Sequence, residues 1–143
     1  METVSAAAWI DAAPAAVWEV LADLRRYPEW NPLFPSAAGD LAAGRRLTLQ
    51  RADDDGRRRT IRARVTTVIP AAELGWVFRP PGMTPGLIIM CNCTLRAGNG
   101  GTLVLQREAV HGFLARYYDR RLDRDEDGFR ALNGALKARV ENQ

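Results

Sequence analysis

Apolar and polar positions follow a readable period along nearly the whole chain. In residues 3–10, TVSAAAWI, the positions Val4, Ala6, Ala8 and Ile10 share one face, which predicts a first strand. Pro14 suits the first turn of a helix. Val17, Trp18, Leu21 and Leu24 follow at helical spacing and predict a helix over 14–24 with one apolar side. Pro28 and Pro32 are expected to end it. After a weak apolar link at 33–39, the period changes to two. Segments 45–51, 59–69, 73–79, 86–97 and 102–110 read as strands, with a turn at DDDG (53–56) and a strong hairpin signal at GNGG (98–101). Leu74, Trp76 and Phe78 alternate to one side, and GLIIMCNCTLRA reads as a central strand. From about 114 to 141 the period returns to helical. Tyr118, Leu122, Phe129, Leu132, Leu136 and Val140 form one stripe, weakly interrupted by Gly128 and Gly134.

The order is strand, short helix or helix pair, five or six antiparallel strands, then a long helix. That is an α+β domain, and the whole chain, 1–143, reads as a single one. A helix of about 28 residues spans about 40 Å. A curved sheet wrapped around it can enclose a cavity.

Composition adds limits. Hydrophobic residues make up 47% and charged residues 26%, as in ordinary globular chains. No apolar run approaches the ~20 residues of a membrane span. The first residues, METVSAAAWIDAAP, lack a basic n-region and do not read as a secretory signal, so the expected location is the cytoplasm. Cys91 and Cys93 are spaced as C-x-C in a strand, where i and i+2 lie about 6.6 Å apart, so they read as buried free thiols rather than a disulfide. With His111 as the only histidine, no metal site and no cofactor is expected. Net charge is +3, and all of the 20 basic residues but Lys137 are arginine. They interleave with 17 acids. The dense run GRRRTIRAR after DDDG reads as a hairpin whose strands carry charge on the solvent side: Arg62 and Arg64 alternate with Ile61, Ala63 and Val65. No nucleic-acid partner is expected from it.

Three stretches carry a resemblance. VWEVLADLRRYPEWNP, VIPAAELGWVF and FRALNGALKARVE resemble, in that order, the START-like or SRPBCC superfamily in its polyketide cyclase/dehydrase branch. The resemblance covers essentially the whole chain. It implies a helix-grip fold, with a curved six- to seven-stranded antiparallel sheet around the C-terminal helix and one or two short helices after the first strand. The weak segment at 34–39 would supply the seventh strand. It further implies a small hydrophobic, aromatic or polyketide-like ligand in the cavity between sheet and helix. The alternative is a cofactor-free cyclase, aromatase or dehydratase using the same cavity.

Within such a cavity, a few polar groups would orient a ligand among apolar walls. On strand 102–110, Leu103, Leu105, Arg107 and Ala109 define one face, so Arg107 is expected to point inward. There it holds a ligand carboxylate or polarises a ketone, pairs with a helix carboxylate, or reaches solvent. On the long helix, Asn133 falls near the centre of the apolar stripe, with Asp125 and Glu126 on its flanks, and either acid is a partner for Arg107 or a base. Their charge run, DRRLDRDEDG, reads equally as a solvated face. Tyr118 and Asp125 are the candidate proton carriers beside Arg107. Trp76 and Phe78 read as walls, Cys91 and Phe129 as further candidate ligand contacts, and His111 as an exposed turn residue or a lone acid/base near the mouth. In YPEWNPLF (27–34), Trp30 is expected to pack inward, with Tyr27 and Phe34 edging the entrance. Trp30 and Phe34 are both candidate ligand contacts. No nucleophile motif, phosphate loop or metal cluster is present in the sequence.

Overall fold

The computed structural model describes residues 2–53, 55–82, 85–118 and 122–143. Its elements are β1 (Glu2–Ile10), α1 (Pro14–Ala22), a single 3-10 turn (Leu24–Arg26), α2 (Tyr27–Trp30), β2 (Ser36–Gly39), β3 (Arg46–Ala52), β4 (Arg58–Ile69), β5 (Glu73–Phe78), β6 (Ile88–Gly98), β7 (Gly101–His111), α3 (Ala115–Tyr118) and α4 (Leu122–Glu141). The predicted 114–141 helix is thus described as two helical stretches, with 119–121 outside the described residues.

All seven strands form one antiparallel sheet in the order β1-β7-β6-β5-β4-β3-β2. Successive strands from β2 to β7 form a meander, and β1 closes beside β7. The weak segment at 34–39 does supply the seventh strand, as β2 at the far edge. Gly98 and Gly101 close the β6–β7 hairpin. Its two turn residues, Asn99 (φ 52) and Gly100 (φ 79), take the positive φ that such turns need. This is the helix-grip fold.

One face of the sheet is apolar and lies against α4. Leu47, Leu49, Ile61, Val65, Leu74, Ile89 and Val104 are buried there, with Phe129, Leu132, Leu136 and Val140 supplied by the helix. The predicted stripe of α4 holds at these four positions. The helix packs chiefly across β1. Asn133 Nδ2 donates to Ala6 O, Lys137 Nζ to Trp9 O, and Asp11 N to Glu141 Oε2. Its C-terminal half is therefore pinned to β1, while its N-terminal half reaches toward the β3–β4 hairpin.

The aromatic segment departs from expectation. Pro28 does not end the first helix, which already stops at Ala22; it sits in the first turn of α2, where a missing N–H costs nothing. Tyr27 and Phe34 are the deeply buried rings, and Trp30 is only half-buried. The Tyr27 hydroxyl donates to Leu21 O at 2.6 Å, and its ring meets Trp30 edge-on. Asn31 Oδ1 accepts from the amides of Leu33 and Phe34, which swings Phe34 inward onto Trp76 at 5.7 Å between ring centres. These local hydrogen bonds, invisible to helical periodicity, choose which ring enters the core.

Candidate functional site

Arg51 is the last inward-facing residue of β3, and its side chain is buried although it is charged. Asp125, in the first turns of α4, is buried opposite it, and Arg51 Nη2 donates to Asp125 Oδ1. Glu108 on β7 is fully buried on the same inner face, directly across the ladder from Cys91. Three ionisable side chains from two strands and the helix thus meet inside the grip.

Their protonation follows from this packing. Burial pushes the Glu108 carboxyl up to about 8, and the Asp125 charge and a hydrogen bond to Asp125 push the same way. Arg51 and Arg59 pull weakly in the opposite direction. Among the described residues, no other hydrogen-bond partner reaches either Glu108 oxygen or Asp125 Oδ2. A proton on Glu108 supplies the missing donor toward Asp125 and removes one of two like charges from a low-dielectric interior. The cluster then holds the Arg51–Asp125 pair beside a carboxyl that burial favours in its neutral form. The Cys91 thiol is driven upward first by burial and then by Glu108, and Cys93 is raised to about 12 by burial, so both are neutral thiols.

The Arg51–Asp125 pair forms the floor of a cleft of about 730 Å³ between the β3–β4 hairpin, the segment Pro32–Leu33 and α4. Leu33, Ala52 and Ala131 give apolar contact, while most of the remaining wall is charged: Asp53, Asp55 and Asp127 face Arg57, Arg58 and Arg59 around the rim. Arg59 is held by Asp53 through two bonds of 3.2 and 3.3 Å. Gly128 keeps the cleft narrow at its helix side, because a Cβ there would lie 2.9 Å from a Leu33 methyl. Among the described residues, no three His, Cys, Asp or Glu side chains gather to share a metal ion.

The expected site residues scatter around this arrangement. Asp125 lies in the cleft, but with Arg51 rather than Arg107. Arg107 is exposed on the outer face, so its predicted inward orientation is corrected: the inner face of β7 is Val104, Gln106, Glu108 and Val110. The Tyr118 side chain lies outside the described residues. Cys91 is buried beside Glu108, and Asn133 is buried and bonded to Ala6 O. Trp76 and Phe129 are buried in the core, Phe78 is half-buried against it, and none of the three is among the residues lining the cleft. Phe34 is core. Trp30 borders shallow depressions with Arg139 at the other end of α4. Glu126 turns outward and pairs with Arg130, and His111 is half-buried at the end of β7. Arg51 and Glu108 were not anticipated.

Sheet, gripped helix and hairpin-end cleft define a helix-grip protein with an opening of ligand size beside the N-terminal half of α4, where the Arg51–Asp125 pair ties helix to sheet. The chain belongs to the family described as polyketide cyclase / dehydrase and lipid transport, whose model matches residues 1–141. Comparison with curated proteins gave no match. Among solved structures it is similar to protein MLL2253 from Mesorhizobium loti, at 19% identity and a TM-score of 0.76 over 99% of this chain and 98% of that one. It is similar to Ara h 8.0201 at 15% identity and a TM-score of 0.75, over 99% of each chain. The di-domain ARO/CYC protein BexL from the BE-7585A biosynthetic pathway matches at 17% identity and 0.75, with 99% of this chain lying on 50% of that one. At such identities these likenesses establish the fold alone.

Proposed function

We propose that the protein binds a small, largely apolar but oxygen-bearing molecule, aromatic or polyketide-like, in the cleft between the β3–β4 hairpin and α4. The observation that carries this reading is the buried Arg51–Asp125 pair at the floor of a ligand-sized cleft. Arg51 donates to a carbonyl, enol or phenol oxygen. Asp125 accepts from a ligand hydroxyl. Leu33, Ala52 and Ala131 cover the ring system. The family's description and the ARO/CYC name of a structural neighbour support a ligand of this kind.

A thermal-shift panel of phenolic, polyketide-like and fatty compounds tests it. Phenolic or poly-carbonyl compounds should raise Tm by several degrees at concentrations well above Kd. The paired substitution Arg51→Met/Asp125→Leu replaces the ion pair with apolar volume, which proteins often tolerate. It should keep the fold and abolish those shifts. A panel without any shift, or shifts equal in the variant, would overturn the reading.

A second reading, catalysis of ring closure or dehydration, is favoured by Glu108. Glu108, whose carboxyl burial pushes up to about 8, is hydrogen-bonded to Asp125 and lies behind the cleft lining, so it would pass a proton to a ligand through Asp125, a relay of the kind general acid–base chemistry uses. A compound that is bound and converted supports it. One that is bound and returned unchanged supports the binder.

A further inference from the structure

The outer face of the β3–β4 hairpin carries a second feature, separate from the cleft. Arg46 and Arg64 are directly opposed cross-strand partners, and both are exposed. Arg62, two residues from Arg64 and opposite Thr48, is exposed on the same face. Like charges placed opposite each other on a sheet repel. Among the described residues, none of the three side chains forms an ion pair or hydrogen bond. By register the carboxylate beside Arg46 is Asp40, one step beyond the Gly39–Leu47 pair, and among the described residues it forms no ion pair with any of the three. Val77 lies beside Arg64 in the next strand, and the exposed Met90 beside Val77, so the row of partners runs from guanidinium to apolar side chain.

We propose that this face, Arg46–Arg62–Arg64 with Val77 and Met90 at its margin, docks the acidic surface of a partner protein. Guanidinium forks match carboxylates in paired, directional hydrogen bonds, and arginine with methionine is the composition that protein interfaces favour. A strand spacing of about 6.8 Å between Arg62 and Arg64 is close to the 5–6 Å separating carboxylates one turn apart on a helix. Among the described residues of these two strands, the outer face has no aromatic ring on which a base could stack, which disfavours single-stranded nucleic acid. The surface is distinct from the ligand cleft, and its use does not require that cleft to be occupied.

The probe is a fluorescent helical peptide with glutamates at i and i+4, followed by anisotropy, beside a single-stranded RNA of equal charge. The wild type should bind the peptide at low salt, lose it at high salt, and bind the RNA more weakly. Arg46→Gln/Arg62→Gln/Arg64→Gln should weaken peptide binding by about tenfold or more. Its melting temperature should hold or rise, since the opposed charges are gone. Arg116→Gln, exposed at another part of the surface, should change nothing. Absence of peptide binding at low salt, RNA bound more tightly than peptide, or equal binding by the triple variant would each overturn the proposal. So would an equal loss with Arg116→Gln. A cleft-ligand thermal shift retained in the triple variant separates this outcome from that of the ligand reading.

Discussion

Glu108 concentrates the chemistry of the interior in one side chain. Its carboxyl titrates near 8 in the fold against an ordinary 4.5, because burial and the Asp125 charge both favour the neutral form. A carboxyl raised by folding binds more protons in the native state than in the unfolded state. Its contribution is therefore fully present below about 4.5 and is lost as pH rises through about 8. Glu108→Gln keeps the shape and neutrality of the protonated acid at every pH. Denaturant melts across this window should show the wild type losing stability relative to the variant, by up to a few kcal/mol at about 1.4 kcal/mol per pKa unit. Parallel pH profiles would mean that Glu108 is not held neutral. The residue was hard to find in the sequence because β7 has apolar residues in both phases, Leu103 and Leu105 outward, Val104 and Val110 inward. Leucines outweighed the smaller valine, and Arg107 was carried to the wrong face with them. The signal that resolves it lies in the turn. A two-residue Asn99–Gly100 turn pairs Gly98 with Gly101, and therefore Asn92 with Arg107 and Cys91 with Glu108. The polar run Asn92, Thr94 and Arg96 then marks Arg107's face as the outer one.

At the scale of elements, the periodic segments were legible because each has one buried side. The strands from β3 to β7 fall within a residue or two of their predicted bounds. Segments ruled by single hydrogen bonds were not. The Asn31 turn that buries Phe34 depends on side-chain-to-backbone bonds that no hydrophobic period reports, and Pro28 opens a separate one-turn helix instead of ending the first one. The two glycines of α4, alike in sequence, also separate here. Gly128 faces Leu33 at the cleft, whereas a Cβ on Gly134 would meet open space. Gly134→Ala should thus stabilise the protein by about 0.5–1 kcal/mol through helix propensity and a less flexible unfolded chain. Calorimetry would register it as a rise of a few degrees in Tm. An unchanged or lower Tm would contradict an exposed, ordinary helical position.

For the whole molecule, α4 is tied to β1 by its C-terminal half and to the β3–β4 hairpin beside the cleft by Asp125 near its start. Asn133, Lys137 and Glu141 tie its second half to β1 and the residue beyond it, while Asp125 bridges to Arg51 across the cleft. No helix among the described residues is long and apolar enough to cross a membrane. The sequence exposed the grip because sheet and helix each carry a strong apolar period. It concealed the cleft floor because Arg51 interrupts an inward row of Leu47 and Leu49, and an isolated charge at a strand end reads as a solvated one. The central claim is that a ligand sits over that floor, and chemical-shift mapping tests it most directly. The strongest stabilising compound from the thermal-shift panel is titrated into isotope-labelled protein, and the backbone amides and arginine side-chain N–H groups are followed. The account predicts perturbations centred on Leu33, Arg51, Asp53 and Gly128. Perturbations confined to the Trp30–Arg139 end of α4, or to the outer face of the sheet, would contradict it.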